Sequence, residues 1–486
     1  MACASSLIAQ PLRPLAANPR YLEWKGKPIV LVASGEHYGS VVNPDFDFYK
    51  YLDTIAADNL NHTRIFLGDY VEEEADFGIA DNPLMVGDKF LAPWARSETP
   101  GFTRGGNKFD LERWNPAYFE RLHAFLDACE KKGVTVEAVL FFAGAVMKNH
   151  PMAAHNNVNG TTPITAKQYL TLENGNVLKY QEAYARKLTR ELNRHTHVIL
   201  NLCNEPWFDH QEYPGFTSKS SDDVRQWIGR VSEWVVDEES RLPNKHVLSV
   251  DLTNQGYEVS VRELDTVFRH VAAFNVHYDA NADILKRNRG VARAFCFNET
   301  GFNGIGDDVY RVQGWNFLFN GGAMYGNLDF SFTVTHPDGT AIPRYVTDSY
   351  DCGGSPSLRR QLGILSRFFE SLPIAAMRPD NSMVIGGPAA WVGLSDPGRC
   401  YAVWFPGEGE MLAQFVIPKG KWRLDWVNIM TGETRSEEVV HTEWAFKRKA
   451  KREGGGVAVR ITAVGDEATS PPLEGQSGSS RVGEKK

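Results

Sequence analysis

Apolar residues in this chain gather into short continuous runs, separated by stretches in which they recur every three to four positions. The runs open at Pro28 (PIVLVASG), His62 (HTRIFLG), Val134 (VTVEAVLFF), His197 (HVILNLC), His246 (HVLSVDL), Ala272 (AAFNVHY), Ala292 (ARAFCF) and Ala323 (AMYGNLDFSF). Rich in Val, Ile, Leu and Phe and without alternation, they predict parallel strands covered on both faces. The stretches between them predict helices. AYFERLHAFLDACEKKG ends on Gly133, a residue suited to a left-handed C-cap. NVLKYQEAYARKLTRELNRH places Tyr180, Tyr184, Leu188 and Leu192 on one helix face. SDDVRQWIGRVSEWVVDEESRL opens on a Ser/Asp cap, and SLRRQLGILSRFFESL follows the eighth strand. Shorter helices are predicted from Val261, Ala282 and Val309.

Eight strand–helix repeats predict an α/β fold, a (β/α)8 barrel. A doubly wound sheet is disfavoured because no GxGxxG follows the first strand. Two long segments, Gly68 to Pro116 and Ala143 to Gly175, show no clear element and follow strands, so both belong at the C-terminal mouth. Near Ile374 the pattern changes. AAWVGLS, CYAVWFPG, MLAQFVIPKG, KWRLDWVNIMTGE and GVAVRITAV are short strands divided by Gly, Pro and Asp turns, as in a small β-sandwich. The expected organisation is an N-terminal extension over 1–20, a barrel over 21–373, a sandwich over 374–465 and a disordered tail over 466–486.

Composition narrows the function classes. The net charge is −8, which argues against a nucleic-acid partner. No apolar run is long enough to cross a membrane as a helix. The first twenty residues lack the basic and apolar regions of a signal peptide, so localisation is left open. Six cysteines at wide spacing contain no CxxC pair, and Cys129, Cys203 and Cys296 lie in apolar runs as core thiols. HTH at His195–His197 imitates a metal motif, but it precedes the fourth strand, at the end of the barrel away from the mouth. No metal and no cofactor is expected. The acidic run Glu72–Glu74 reads as a solvated loop.

Two strands end in a carboxylate. HVILNLCNEPW delivers Asn204, Glu205, Pro206 and Trp207 after the fourth strand, and ARAFCFNETGF delivers Glu299 after the seventh. Residues just past barrel strands point into the mouth, so the two can converge. Facing carboxylates in unlike surroundings are what cleavage of a glycosidic bond requires. On the NEP after strand four and the second Glu ending strand seven, the chain from about Leu22 to Leu372 resembles the clan A glycoside hydrolases, the cellulase-like superfamily of retaining enzymes. The resemblance implies Glu205 as acid/base, Glu299 as nucleophile, and an oligo- or polysaccharide substrate. It implies that Asn204 bonds a sugar hydroxyl and that Arg64 orients the nucleophile. It also places His277 and Tyr278 against the nucleophile and the sugar. The C-terminal strands resemble a small β domain, named for collagen binding, that follows some such barrels.

The chain departs from that family at several points. His277 and Tyr278 are adjacent where the family separates them by one residue. The family's strand-three His is missing from FFAGAV, and its strand-eight Trp is missing from NLDFSF, where Asp329 and Phe330 stand. The first strand ends in SGEHYGS, which brings Glu36 and His37 to the mouth as candidate substrate contacts. Trp207 suits a subsite wall or a packed ring, and Arg64 suits an ion pair at the edge of the core. Trp94 and Trp315 are weaker candidates, Trp315 within a helical stretch. A carbohydrate-binding protein on an inactive barrel is the reading from another class, and a transglycosylase would use the same residues. The oligomeric state is not legible.

Overall fold

The computed structural model describes residues 10–73, 76–142, 146–207, 220–254, 256–345 and 352–465. The expected tail over 466–486, Glu74 and Cys3 lie outside the described residues. The chain divides into two compact units, with the division between Ser366 and Arg367.

The first unit holds eight parallel strands: β1 (Leu31–Gly35), β2 (His62–Phe66), β3 (Thr135–Val139), β4 (Val198–Asn201), β5 (Val247–Thr253), β6 (Ala273–His277), β7 (Ala294–Glu299) and β8 (Met324–Leu328). They pair in the order β1-β8-β7-β6-β5-β4-β3-β2, every pair parallel, which is a (β/α)8 barrel. The seam between β1 and β2 is bridged at Asn61. Asn61 accepts from Val32 N through Oδ1 at 2.8 Å and donates to Val30 O through Nδ2 at 2.9 Å, beside a backbone bond from its own N–H to Val32 O at 3.2 Å.

The helices that follow the strands are α1 (Phe48–Ala57), α2 (Pro116–Lys132), α3 (Val177–Leu192), α4 (Asp222–Glu239), α5 (Val261–Asp265), α6 (Asp283–Arg287), α7 (Asp307–Phe319) and α8 (Pro356–Glu370), and two four-residue helices, Val146–Asn149 and Ala166–Tyr169, lie in the segment expected to hold no clear element. α2 ends on Gly133 at φ 75°, and its N–H returns to Cys129 O, as the C-cap glycine predicts. Tyr180, Tyr184, Leu188 and Leu192 are all buried, and Ser221 caps α4. The segment over Gly68–Pro116 is not irregular throughout. Trp94–Pro100 and Asn107–Trp114 form an antiparallel ribbon there, obscured in the sequence by Arg, Glu and Lys on its exposed face. Part of the expected N-terminal extension is also paired, Arg13–Pro14 lying against Leu22–Glu23.

Among its described residues the second unit is a sandwich of nine strands: β9 (Arg378–Pro379), β10 (Val384–Gly386), β11 (Val392–Asp396), β12 (Cys400–Pro406), β13 (Gly409–Phe415), β14 (Gly420–Asn428), β15 (Thr434–His441), β16 (Phe446–Arg452) and β17 (Gly456–Ala463). One sheet runs β9-β11-β12-β17-β14-β15, the other β10-β13-β16. Trp422, Leu424 and Trp426 of β14 face Met411, Phe415 and Phe446 of the other sheet across one apolar core. Among the described residues no helix is long and apolar enough to cross a membrane.

Candidate active site

The barrel interior is not apolar throughout. Below the mouth lies a layer of buried polar groups, drawn from strands that read as apolar runs. Glu137 of β3 is fully buried and accepts from Ser249 Oγ at 2.7 Å, Asn275 Nδ2 at 2.7 Å and Asn298 Nδ2 at 2.8 Å, with Arg64 Nε 3.3 Å away. Asp251 of β5 accepts from Asn201 Nδ2 at 2.7 Å and Asn275 Nδ2 at 2.8 Å. A buried carboxylate is costly unless paired and hydrogen-bonded, and both of these are. The signal in the sequence is a single acid inside an apolar run, in VTVEAVL and VLSVDL, which the surrounding apolar residues mask.

On this layer stand the groups at the strand ends. Arg64 of β2 donates from Nη1 to Glu299 Oε2 at 2.7 Å, and from Nη2 to Asn204 Oδ1 at 2.5 Å and Asp251 Oδ2 at 3.1 Å. His277 of β6 has Nδ1 2.8 Å from Glu205 Oε1 and 3.7 Å from Glu299 Oε1, and Nε2 3.0 Å from Asp251 Oδ2. Tyr278 donates its hydroxyl to Glu299 Oε1 at 2.7 Å. The Trp207 ring stands edge-on to His277, with centroids 5.5 Å apart.

Local backbone irregularities make this convergence possible. Along β6 and β7, Asn275 pairs with Cys296, but His277 pairs with Glu299, so β7 carries one extra residue. That bulge lets two consecutive residues serve the interior, Asn298 reaching Glu137 and Glu299 reaching Arg64. Glu205 and Tyr278 hold left-handed backbones at φ 43° and 56°, conformations that non-glycine residues rarely adopt and that are held in place by their surroundings.

The surroundings push the two glutamates in opposite directions. Burial pushes Glu205 up to about 7, against the pull of the His277 hydrogen bond and charge. Burial acts on Glu299 too, but the charges of His277 and Arg64 and the Tyr278 hydroxyl outweigh it and hold the carboxyl below its usual range. His277 is raised to about 10: burial opposes its charge, and the carboxylates of Glu299 and Asp251 prevail. Glu205, His277 and Glu299 have ligand-capable atoms within 4.8 Å of one another. These atoms are already matched to each other, to Arg64 and to Tyr278, so the three read as an acid–base cluster rather than a cation site.

Of the residues singled out in the sequence, Arg64, Asn204, Glu205, Trp207, His277, Tyr278 and Glu299 are brought together. His37 borders them. Its Nε2 is 2.7 Å from Glu72 Oε1, and its ring stacks on Tyr38, over which the Arg64 guanidinium lies at 5.1 Å. Glu36 is not brought to the cluster: its carboxylate accepts from Gly39 N, Ser40 N and Ser40 Oγ of its own loop at 2.7–3.0 Å. Glu72 is not solvated as the acidic run suggested; it is buried, accepting also from Tyr70 OH and Asn82 Nδ2. Trp94 and Trp315 are both core residues. His195 pairs with His123, its Nε2 2.9 Å from His123 Nδ1.

No family model matches the chain, and no curated protein matches it. Solved structures do. A candidate glycoside hydrolase from Bacteroides vulgatus ATCC 8482 superposes with a TM-score of 0.63 at 13% identity, covering 92% of this chain and 81% of that one. A further glycoside hydrolase gives 0.63 at 10% identity, covering 96% of this chain and 98% of that one. A glycoside hydrolase family 5 protein from Bacteroides vulgatus ATCC 8482 gives 0.60 at 12% identity, covering 95% and 96%. At these identities the likeness is one of fold, shared along nearly the whole chain.

Proposed function

We propose that this chain is a retaining β-glycoside hydrolase that cleaves an oligo- or polysaccharide. The observation that carries the reading is a pair of carboxyl groups with opposite protonation preferences, Glu205 pushed up to about 7 and Glu299 held down, whose nearest oxygens lie within 4.8 Å. Two titratable groups driven apart by their surroundings mark an acid and a nucleophile. Oxygens this close fit the roughly 5–5.5 Å separation of a retaining enzyme's carboxyls and fall short of the roughly 6.5–9.5 Å that an inverting enzyme needs to admit water. Glu299 attacks the anomeric carbon while Glu205 protonates the departing oxygen. Glu205, now a carboxylate, then deprotonates the water that releases the sugar.

The neighbouring groups support these roles. Arg64 and Tyr278 each hold one oxygen of Glu299, which keeps the carboxylate ionised and aimed. His277 takes one oxygen of Glu205 and leaves the other to carry the catalytic proton. The fold shared with glycoside hydrolases agrees with this reading. A panel of chromogenic β-glycosides and plant and microbial polysaccharides tests it, with the anomer of the first product read by proton NMR. The expected result is a β-product; an α-product points to inversion, and a panel left wholly intact ends the proposal.

A further inference from the structure

Asp251 lies in the middle of β5 and is buried, yet it touches the support of every reacting group. Its Oδ1 is taken by Asn201 and Asn275. Its Oδ2 has three neighbours: Arg64 Nη2 at 3.1 Å, the backbone N–H of Glu205 at 3.1 Å and His277 Nε2 at 3.0 Å. Each leads on to a glutamate. Arg64 continues to Glu299. The Glu205 N–H belongs to the residue whose backbone is held at φ 43°. His277 continues through Nδ1 to Glu205 Oε1. Nε2 meets Asp251 Oδ2 at ion-pair distance without the alignment of a hydrogen bond, and a carboxylate oxygen that near favours a proton on Nε2 over a bare lone pair. Nδ1 then donates to Glu205 only if the ring is an imidazolium.

We propose that Asp251 is a positioning residue that keeps His277 protonated at both nitrogens and, through one oxygen, fixes Glu205 and Glu299 relative to each other. The inference rests on reading those glutamates as the reacting pair. The charged and titratable groups facing His277 and Asp251 are Arg64 from β2, Glu137 from β3, Glu205 after β4, Tyr278 after β6 and Glu299 at the end of β7. Of the carboxylates among the described residues, Asp251 alone meets the Nε2 edge of the ring; Glu205 and Glu299 both lie on the Nδ1 side. Asparagine cannot replace it. Whichever way its amide turns, an NH2 meets donors, Asn201 and Asn275 on one side or Arg64 and the Glu205 N–H on the other.

The test is a 15N NMR titration of the imidazoles, with His277 assigned by its loss in His277→Asn. In the unsubstituted protein both His277 nitrogens are expected to be protonated at pH 7; a bare Nε2 there overturns the proposal with no further variant. In Asp251→Asn the lost negative charge makes nearby protons easier to lose. His277 is then expected to become neutral at a pH at least one unit lower. On a chromogenic β-glycoside both limbs of the pH–rate profile are expected to move to lower pH, with kcat down on the order of 100-fold and KM changed less than about threefold. Ser249→Ala, which loosens the same polar layer only at Glu137, is expected to lower stability without moving the profile. If it moves the profile as far as Asp251→Asn does, Asp251 acts only as packing and the proposal falls. Should no glycoside be cleaved, the proposed function fails, while the NMR titration still decides the role of Asp251.

Discussion

The Tyr278 hydroxyl meets Glu299 Oε1 at 2.7 Å, although Tyr278 directly follows His277, whose ring reaches Glu205. Neighbours on a strand point to opposite faces. Both side chains serve the mouth because Tyr278 leaves the strand with a left-handed backbone at φ 56°. The adjacency of His277 and Tyr278 is accommodated by a turn at the strand end.

Tyr278→Phe removes a donor that favours the ionised form of Glu299. The carboxyl should therefore take up a proton more readily, and the acid limb of kcat/KM should move to higher pH. A fall in kcat of about tenfold or more is expected. Stopped assays between pH 4 and 8 check both; an unmoved acid limb would separate the hydroxyl from the nucleophile.

Replacing the glutamates should give opposite anomers in azide. Glu299→Gly leaves room for azide in place of the nucleophile and should form an α-glycosyl azide from an activated β-glycoside. On the proposed roles, Glu205→Ala keeps the nucleophile but loses the acid/base, so azide should intercept the glycosyl-enzyme and form the β-azide. Product NMR distinguishes them. The reverse pattern would exchange the two roles.

The raised Glu205 sets a sign for pH dependence. Its folded value of about 7 lies above the unfolded one near 4.5, so the folded state holds the extra proton. The stabilisation is complete below about 4.5 and is lost as pH rises through about 7. Glu205→Gln has no such proton to lose. Its Tm relative to the parent should rise across that window, measured by calorimetry at fixed ionic strength. The same proton should give the alkaline limb of kcat/KM near pH 7.

Arg64 stands among Glu299, Asp251 and Glu137, all buried with it. Arg64→Met would leave buried carboxylates without their cation and should cost about 3–5 kcal/mol, visible as a lower urea midpoint. A loss under about 1 kcal/mol would mean that water or His277 takes over the role.

Trp422 is 2% exposed in the sandwich core, and its indole N–H donates to Pro418 O at 2.9 Å. Trp422→Ala should destabilise the second unit by about 3–5 kcal/mol, read by tryptophan fluorescence in denaturant. An unchanged midpoint would mean that β14 does not hold this sheet together.

The order of strands and helices was legible in the sequence, because a strand buried on both faces must be apolar along its length and a surface helix must repeat its apolar face. The same rule marked Glu205 and Glu299, carboxylates set just past such strands. It failed where pattern and burial part company. β15 and β16 read TRSEEVVH and FKRKAKR, too charged to look like strands, and they exist because β14 and β13 supply their ladders and half of the core. Glu36 and His37 are neighbours in sequence, yet one turns into its own loop and the other borders the site. Only the tertiary structure decided that Asp251 and Glu137, single acids in apolar runs, would lie beneath the mouth. Their tolerance depends on Arg64, His277 and three asparagines from other strands, and a sequence read one segment at a time carries no record of partners that distant.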